Sequence, residues 1–309
     1  MHLLIPFAAP LSEAGRAAAR SLELPRLSAL LARMPLQGRD EGDELSLSTP
    51  HERALARELG WAGADGALPW AARAAAADGV SVGERAWGLL TPAHWHLGTE
   101  QLSMADPANL LLDDAASRTF FDAVSHLFTS EGYVIAYGAA SRWYLAHESL
   151  ARLPCASLDR VIGRNVDRWL DSDPAVRRLR RLQSEVQMQL YTHPLNDQRL
   201  AQGLLPVNSF WLSGCGVAQH PASDDVQFDE RLRAPALAED WAAWCKAWVS
   251  LDEGPLAALL ALLRDGATAR LTLCGERASA GFSGGRRTLV QSLRARWSRP
   301  AWLPLLESL

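Results

Sequence analysis

Short apolar runs alternate with helix-forming segments from the first residues of this chain, and that alternation confines it to an α/β fold. Leu3–Ala8 carries no polar side chain and reads as a strand buried on both faces of a parallel sheet. Ser12–Arg33 follows with helical signals. Leu22, Leu27, Leu30 and Leu31 fall on one side, and Pro25 predicts a break. Acidic, Gly-containing Gln37–Leu47 reads as a loop. Thr49-Pro50-His51-Glu52 opens a helix to about Leu59: Thr49 caps, Pro50 fits the first turn and Glu52 completes a capping box. Trp70–Ala77 reads as a second, alanine-rich helix.

Trp87–Leu97, Tyr133–Tyr137, Arg142–Ala146, Val207–Leu212 and Ala269–Cys274 read as strands. Helices are expected from Leu112-Asp113-Asp114 to Phe128 and over Val161–Leu170, Pro174–Tyr191, Leu237–Leu251, Pro255–Leu263 and Thr288–Trp297. In Pro174–Tyr191 the apolar residues Val176, Leu179, Leu182, Val186 and Leu190 form a clean stripe. The α+β character of the middle of the chain suggests a core of residues 1–86 and 205–309, with an inserted α+β subdomain at 87–204.

Composition excludes several function classes. A net charge of −4 over 309 residues gives no footprint for nucleic acid or an anionic membrane. No apolar run is long enough to span a bilayer, and Met1–Phe7 lacks the features of a signal peptide. Cys155, Cys215, Cys245 and Cys274 form no C-x-x-C pair, which suits a reducing compartment. The cytoplasm is the expected location.

Four groups of residues could carry chemistry. His94 and His96 fall on one side of a strand and could chelate a metal, although structural histidines are commoner. Arg177, Arg178, Arg180 and Arg181 could bind phosphate, or simply form a solvated helix face. Ser213-Gly214-Cys215-Gly216, after a strand, resembles a turn that offers backbone N–H groups to an anion; a tight strand exit explains the glycines equally well. Cys215 is a candidate reactive thiol. His193, Asn196, Asn208 and Trp211 gather around the same strand end.

Together these residues resemble a known family. His193-Pro194-Leu195-Asn196, Arg199, Gly203 and Pro206–Gly216 look like the archaeal-type cofactor-independent phosphoglycerate mutases. Ser157–Gly163 is similar to the family's segment after its inserted domain, and Asp106–His147, with Arg142, follows the order of that insert. Ser48 and Thr49 lie where the family places its nucleophile loop. The pattern is also similar to bacterial regulatory proteins of the RpfE type. The resemblance implies an alkaline-phosphatase-like, three-layer sheet core with an insert. It also implies chemistry in which two divalent metals, such as Mn or Zn, activate a serine that accepts and returns a phosphoryl group.

The departures lie in the metal ligands. The family's first strand ends in Asp-Gly, whereas this chain reads Ile5-Pro6-Phe7-Ala8-Ala9-Pro10. No histidine occurs after His220. The expectation is therefore a mutase relative without metal or other cofactor that binds a small phosphorylated molecule or a regulatory protein partner. His193, Asn196, Arg199, Asn208, Trp211, Gly214, Gly216 and Arg142 are its candidate ligand contacts. The alternatives are an active phosphoryl-transfer or hydrolase enzyme with an atypical site, using Ser48, Thr49 or Cys215 with His193 as base, and a scaffold in a regulatory complex.

Overall fold

A computed structural model describes residues 1–98, 101–169, 174–223, 225–285 and 302–309. The helix expected at Thr288–Trp297 lies outside the described residues. The strands are β1 (His2–Ile5), β2 (Leu36–Glu41), β3 (Ala86–Ala93), β4 (Trp95–Leu97), β5 (Leu102–Met104), β6 (Val134–Ala139), β7 (Arg142–Ala146), β8 (Ser209–Val217), β9 (Val226–Phe228), β10 (Ala269–Cys274) and β11 (Ala278–Gly284). The helices are α1 (Glu13–Arg20), α2 (Pro25–Leu31), α3 (Pro50–Glu58), α4 (Trp70–Ala77), α5 (Asp114–Thr129), α6 (Leu158–Val161), α7 (Pro174–Tyr191), α8 (Pro194–Ala201), α9 (Arg233–Leu237), α10 (Trp241–Leu251), α11 (Ala257–Arg264) and α12 (Trp302–Glu307). The fold is mixed α/β, and the chain divides into two compact units.

The first unit comprises residues 1–44, 49–60 and 221–309. Its five-stranded mixed sheet has the order β2-β11-β10-β1-β9. β1 runs parallel to both β10 and β9, while β11 is antiparallel to β10 and β2. Alternation along β1 feeds two cores. Leu3 and Ile5 join Leu27, Leu30, Trp244, Trp248 and Leu259 on one face. Leu4 joins Ala54, Leu55 and Cys274 on the other, under α3. Both faces are therefore covered, as the apolar run Leu3–Ala8 required.

A side chain far away in sequence caps α2. Its own N-cap position, Leu24, offers no side-chain acceptor. The buried Asp252 carboxylate instead accepts from Arg26 N at 3.1 Å and Leu27 N at 2.8 Å. A carboxylate also suits the positive end of the helix dipole. Asp252→Ala is expected to cost about 2 kcal/mol, read as a lower urea midpoint at unchanged m-value. Asp252 opens a π-helical turn, Asp252–Leu256, that carries Pro255. The wide turn accommodates a residue with no N–H to donate.

The second unit comprises residues 45–48 and 61–220. Its four-stranded sheet, in the order β6-β7-β3-β8, is antiparallel throughout. α5 and α7 cover one face through Phe120, Val124, Phe128, Leu182, Val186 and Leu190, so the stripe foreseen on α7 is buried from Leu179 to Leu190. α4 covers the other through Ala71, Ala72 and Ala75. The division drawn from the sequence differs from these units at 45–48, 61–86 and 205–220. β8 ladders along β3 from Ser209↔Ala93 to Val217↔Ala86, which ties it to the middle of the chain.

Several expected elements change. Gln37–Leu47 is not all loop, because β2 pairs with β11 there. Its polar, solvent-facing residues left no apolar pattern. Ser213–Gly216 is not a turn, because β8 runs on to Val217. Trp87–Leu97 splits at His94 into β3 and β4. Val161–Leu170 is interrupted at Gly163, whose φ is +72°, between α6 and a 3-10 turn at Val166–Trp169. α10 starts only at Trp241, after Glu239 at φ +52°.

Candidate functional site

In open α/β sheets, ligands sit beyond the carboxyl ends of the parallel strands. In the first unit those ends are filled by the chain itself. After β1, Phe7 adopts φ +55° and its carbonyl accepts from Trp244 Nε1 at 3.0 Å. Ala8 is fully buried and its N–H donates to the Cys274 carbonyl at 2.8 Å. Beyond β10, a Cβ on Gly275 would stand 2.6 Å from the Leu309 carbonyl carbon. A main-chain oxygen of Leu309 accepts from Arg277 N at 3.0 Å and Ala278 N at 2.7 Å. Cys274 is completely buried, and burial pushes its thiol well above the ordinary range. Two divalent metals need carboxylates, imidazoles or thiolates. This position presents aliphatic groups, main-chain oxygens that already accept hydrogen bonds, a protonated thiol and a single imidazole, that of His51 against Phe7, a set too poor in ligands for such a centre. Among the described residues, no group of three or more His, Cys, Asp or Glu side chains is placed to hold a metal ion.

Thr49 and Ser48, the two hydroxyls of the expected nucleophile loop, have separate tasks. Thr49 caps α3: its Oγ1 accepts from Glu52 N at 3.3 Å, and Glu52 accepts from Thr49 N at 3.0 Å. The capping box read from the sequence is thus formed. Thr49 Oγ1 also lies 3.0 Å from His51 Nε2. Sequence reasoning missed His51 as its partner. The available signal was Thr-Pro-His at the mouth of a helix. The His51 ring is flanked by Phe7 at 5.4 Å and Phe228 at 5.9 Å. In the second unit, Ser48 Oγ accepts from Gly66 N at 2.8 Å, and Ser48 N donates to Asp65 Oδ1 at 2.8 Å.

The residues expected to contact ligand around β8 do come together, but their polar groups are spent on backbone. Asn196 is buried; its Nδ2 donates to the carbonyls of Leu190 and Val207, both at 2.8 Å, and its Oδ1 accepts from Val207 N at 2.9 Å. Arg199, also buried, donates to the Leu205 carbonyl at 3.0 Å and to the Leu110 carbonyl. His193 caps α8, its Nδ1 accepting from Leu195 N at 3.2 Å, and its ring packs on Phe120. Asn208 mimics a strand partner, bonding both Trp95 N and Trp95 O. Trp211 Nε1 donates to the Ala156 carbonyl at 2.9 Å. This constellation staples α7, α8 and β8 together.

Gly214 and Gly216 serve close packing. A Cβ on Gly214 would meet Ala71 N and Trp70 Cβ at 2.9 Å, and one on Gly216 would meet Pro69 Cβ at 3.0 Å. The glycines thus admit the first turn of α4 onto the sheet. Cys215 between them is fully buried. A hydrogen bond with Cys155, and then burial, hold its thiol well above the ordinary range, so it does not stand as a free thiolate that could attack a substrate at neutral pH.

Arg142 forms a fork with Asp78, with both bonds at 2.8 Å. Tyr144 donates to the same carboxylate at 2.5 Å. The hydrogen bond from Arg142 is the main cause that holds the Asp78 carboxyl below its ordinary value of 3.8. A depressed carboxyl stabilises the fold above the unfolded value, and that contribution disappears as pH falls through the folded value. The urea midpoint of the wild type is expected to drop on acidification below pH 3.8, and Asp78→Asn to flatten that part of the profile.

Of the remaining candidates, Arg178 and Arg181 pair with Glu131. His94 Nδ1 contacts the Pro206 carbonyl at 2.9 Å, whereas His96 is exposed on β4. Arg180 is exposed at the rim of a small, solvent-open cleft whose wall includes Leu153, Cys155, Trp169, Gln183 and Trp211. Arg180 has no ion-pair partner among the described residues. Sequence reasoning found Arg180 and Trp211, but not that they share a cleft.

No protein-family model matches this sequence, and no curated protein matches it. Solved structures do show a likeness. The cofactor-independent phosphoglycerate mutase from Thermoplasma acidophilum is 12% identical over 94% of this chain and 94% of that one, with a TM-score of 0.37. The PH0037 protein from Pyrococcus horikoshii is 13% identical over 92% of this chain and 87% of that one, with a TM-score of 0.45. At such identity no residue role transfers.

Proposed function

We propose that this chain is a phosphoglycerate mutase-like protein that works by binding a small phosphorylated molecule or a regulatory protein partner, without two-metal phosphoryl transfer. The observation that carries the reading is the filling of the strand ends by Phe7, Ala8, Gly275 and Leu309. The motif resemblance around His193–Gly216 supports descent from such an enzyme, and those residues now serve the fold. The cleft beside Arg180 supports ligand binding: apolar walls can hold a ligand's body, and a guanidinium can take an anionic group. No helix among the described residues is long and apolar enough to cross a membrane, and the reading places the protein in the cytoplasm.

The test is calorimetric titration with 3-phosphoglycerate and with phenyl phosphate, on the wild type and on Arg180→Ala. The reading expects saturable binding of at least one probe, weakened at least about tenfold in Arg180→Ala, a loss of one charge-assisted contact. Equal binding by both proteins would remove the cleft from the proposal. Turnover of either probe would remove the pseudoenzyme reading.

One observation favours a second reading, an atypical hydrolase. Thr49 Oγ1 and His51 Nε2, 3.0 Å apart, form a hydroxyl–imidazole pair in which His51 could take the hydroxyl proton. Turnover of p-nitrophenyl phosphate that Thr49→Ala and His51→Asn both abolish would establish it. Absence of turnover in the wild type would dismiss it.

A further inference from the structure

We infer that Cys155 and Cys215 are an oxidisable dithiol that closes to a disulfide when the protein meets a hydroperoxide. Their sulfur atoms stand 3.5 Å apart, so closing to a covalent S–S bond of about 2.05 Å requires a movement of only about 1.5 Å. The two sulfurs differ in access. Cys155 is half-buried and lines the cleft, whereas Cys215 is fully buried on β8. Cys155 lies in the irregular stretch 154–156, outside any helix or strand. That stretch is held by Cys155 N donating to the Gly66 carbonyl at 2.9 Å and by the bond from Trp211 to Ala156. A side chain on an irregular segment can make the short approach that one locked in a ladder cannot. Space for the buried sulfur is provided by Gly88, where a Cβ would stand 3.0 Å from Cys215 Sγ.

The chemistry balances with a hydroperoxide as oxidant. The Cys155 sulfur attacks one peroxide oxygen. An S–O bond forms, the O–O bond breaks, and the leaving hydroxide takes the proton lost by the Cys155 thiol, giving water. The Cys215 sulfur then attacks the adjacent sulfenic sulfur as its thiol proton passes to the departing oxygen. An S–S bond forms, the S–O bond breaks, and the expelled hydroxide leaves as water with the proton from Cys215. Two thiols lose two electrons, and the peroxide is reduced to two waters. Access sets this order, since peroxide reaches Cys155 from the cleft. Cys245, whose thiol donates to the Ala18 carbonyl at 3.6 Å, and fully buried Cys274 serve as internal controls. The inference is independent of whether the cleft holds a ligand.

The experiment treats the full chain with hydrogen peroxide, quenches free thiols with iodoacetamide, and maps peptides without reductant. The expected result is a single cross-linked pair containing residues 155 and 215. The intact mass falls by two hydrogen atoms before alkylation, and dithiothreitol reverses the change. Cys215→Ala should leave a sulfenic acid at Cys155 that dimedone traps, and Cys155→Ser should abolish the cross-link. Wild-type peptides decide the matter even if a variant does not fold. Oxidation of Cys155 to sulfinic acid with no 155–215 peptide would overturn the inference. So would a cross-link involving Cys245 or Cys274 in equal amount.

Discussion

Asn196→Ala is expected to lower stability by about 3 kcal/mol or more. The side chain has three hydrogen bonds to backbone, with the Leu190 carbonyl, the Val207 carbonyl and the Val207 N–H. All three groups lie in buried surroundings, and alanine gives none of them a replacement. Each abandoned buried donor or acceptor costs about 1–3 kcal/mol. Urea unfolding measures the loss as a fall in midpoint at constant m-value. Asn196→Asp sharpens the test. It keeps the shape and the acceptor for Val207 N–H, but loses both donors and points a charge at two carbonyls, so it should also destabilise. A residue kept for ligand contact would behave differently: its replacement would abolish binding and leave the urea midpoint near the wild-type value.

Gly214→Ala is expected to cost about 3 kcal/mol, from two separable sources. The backbone there has φ +64°, which disfavours any Cβ. The Cβ would also stand 2.9 Å from Ala71 N and from Trp70 Cβ, and so would push α4 away from the sheet. Gly132→Ala isolates the first source. Its φ is +83°, yet a Cβ there meets nothing within 4 Å, so that variant should lose only about 1 kcal/mol. The difference between the two midpoints reports the cost of crowding α4. Near-equal losses would show that α4 yields freely at this contact.

Local chemistry made parts of this fold legible. The apolar Leu3–Ala8 gave a strand whose two faces are both covered, and Thr49-Pro50-His51-Glu52 gave a helix start with its capping box formed. The stripe on α7 gave a buried helix face. The elements missed have weak local signals. β2 is exposed and polar, and β11 is a run of Ala, Gly and Ser around one Phe, so only pairing with a distant strand defines either. Long-range polar contacts were equally invisible. Nothing near Leu24 announces that Asp252 caps α2, and nothing near Asn196 announces that Val207 consumes its oxygen. The candidate site was therefore legible as a cluster and not as a role. His193, Asn196, Arg199, Asn208 and Trp211 do assemble around β8, but their hydrogen bonds run to backbone. Thr49 was found and His51 was not: Thr-Pro-His at a helix start places the two residues close in sequence, but only the helix geometry turns the imidazole onto the hydroxyl.

In the proposed reading the carboxyl ends of β1 and β10, filled by Phe7, Ala8, Gly275 and Leu309, hold no two-metal centre. The most direct measurement titrates the metal-stripped full chain with manganese and with zinc by calorimetry, alongside elemental analysis of the protein as purified. The expected result is no stoichiometric metal in the purified protein and no saturable binding that Cys274→Ala or Phe7→Ala alters. Two equivalents of tightly held manganese or zinc per chain, accompanied by phosphoglycerate mutase turnover, would contradict it.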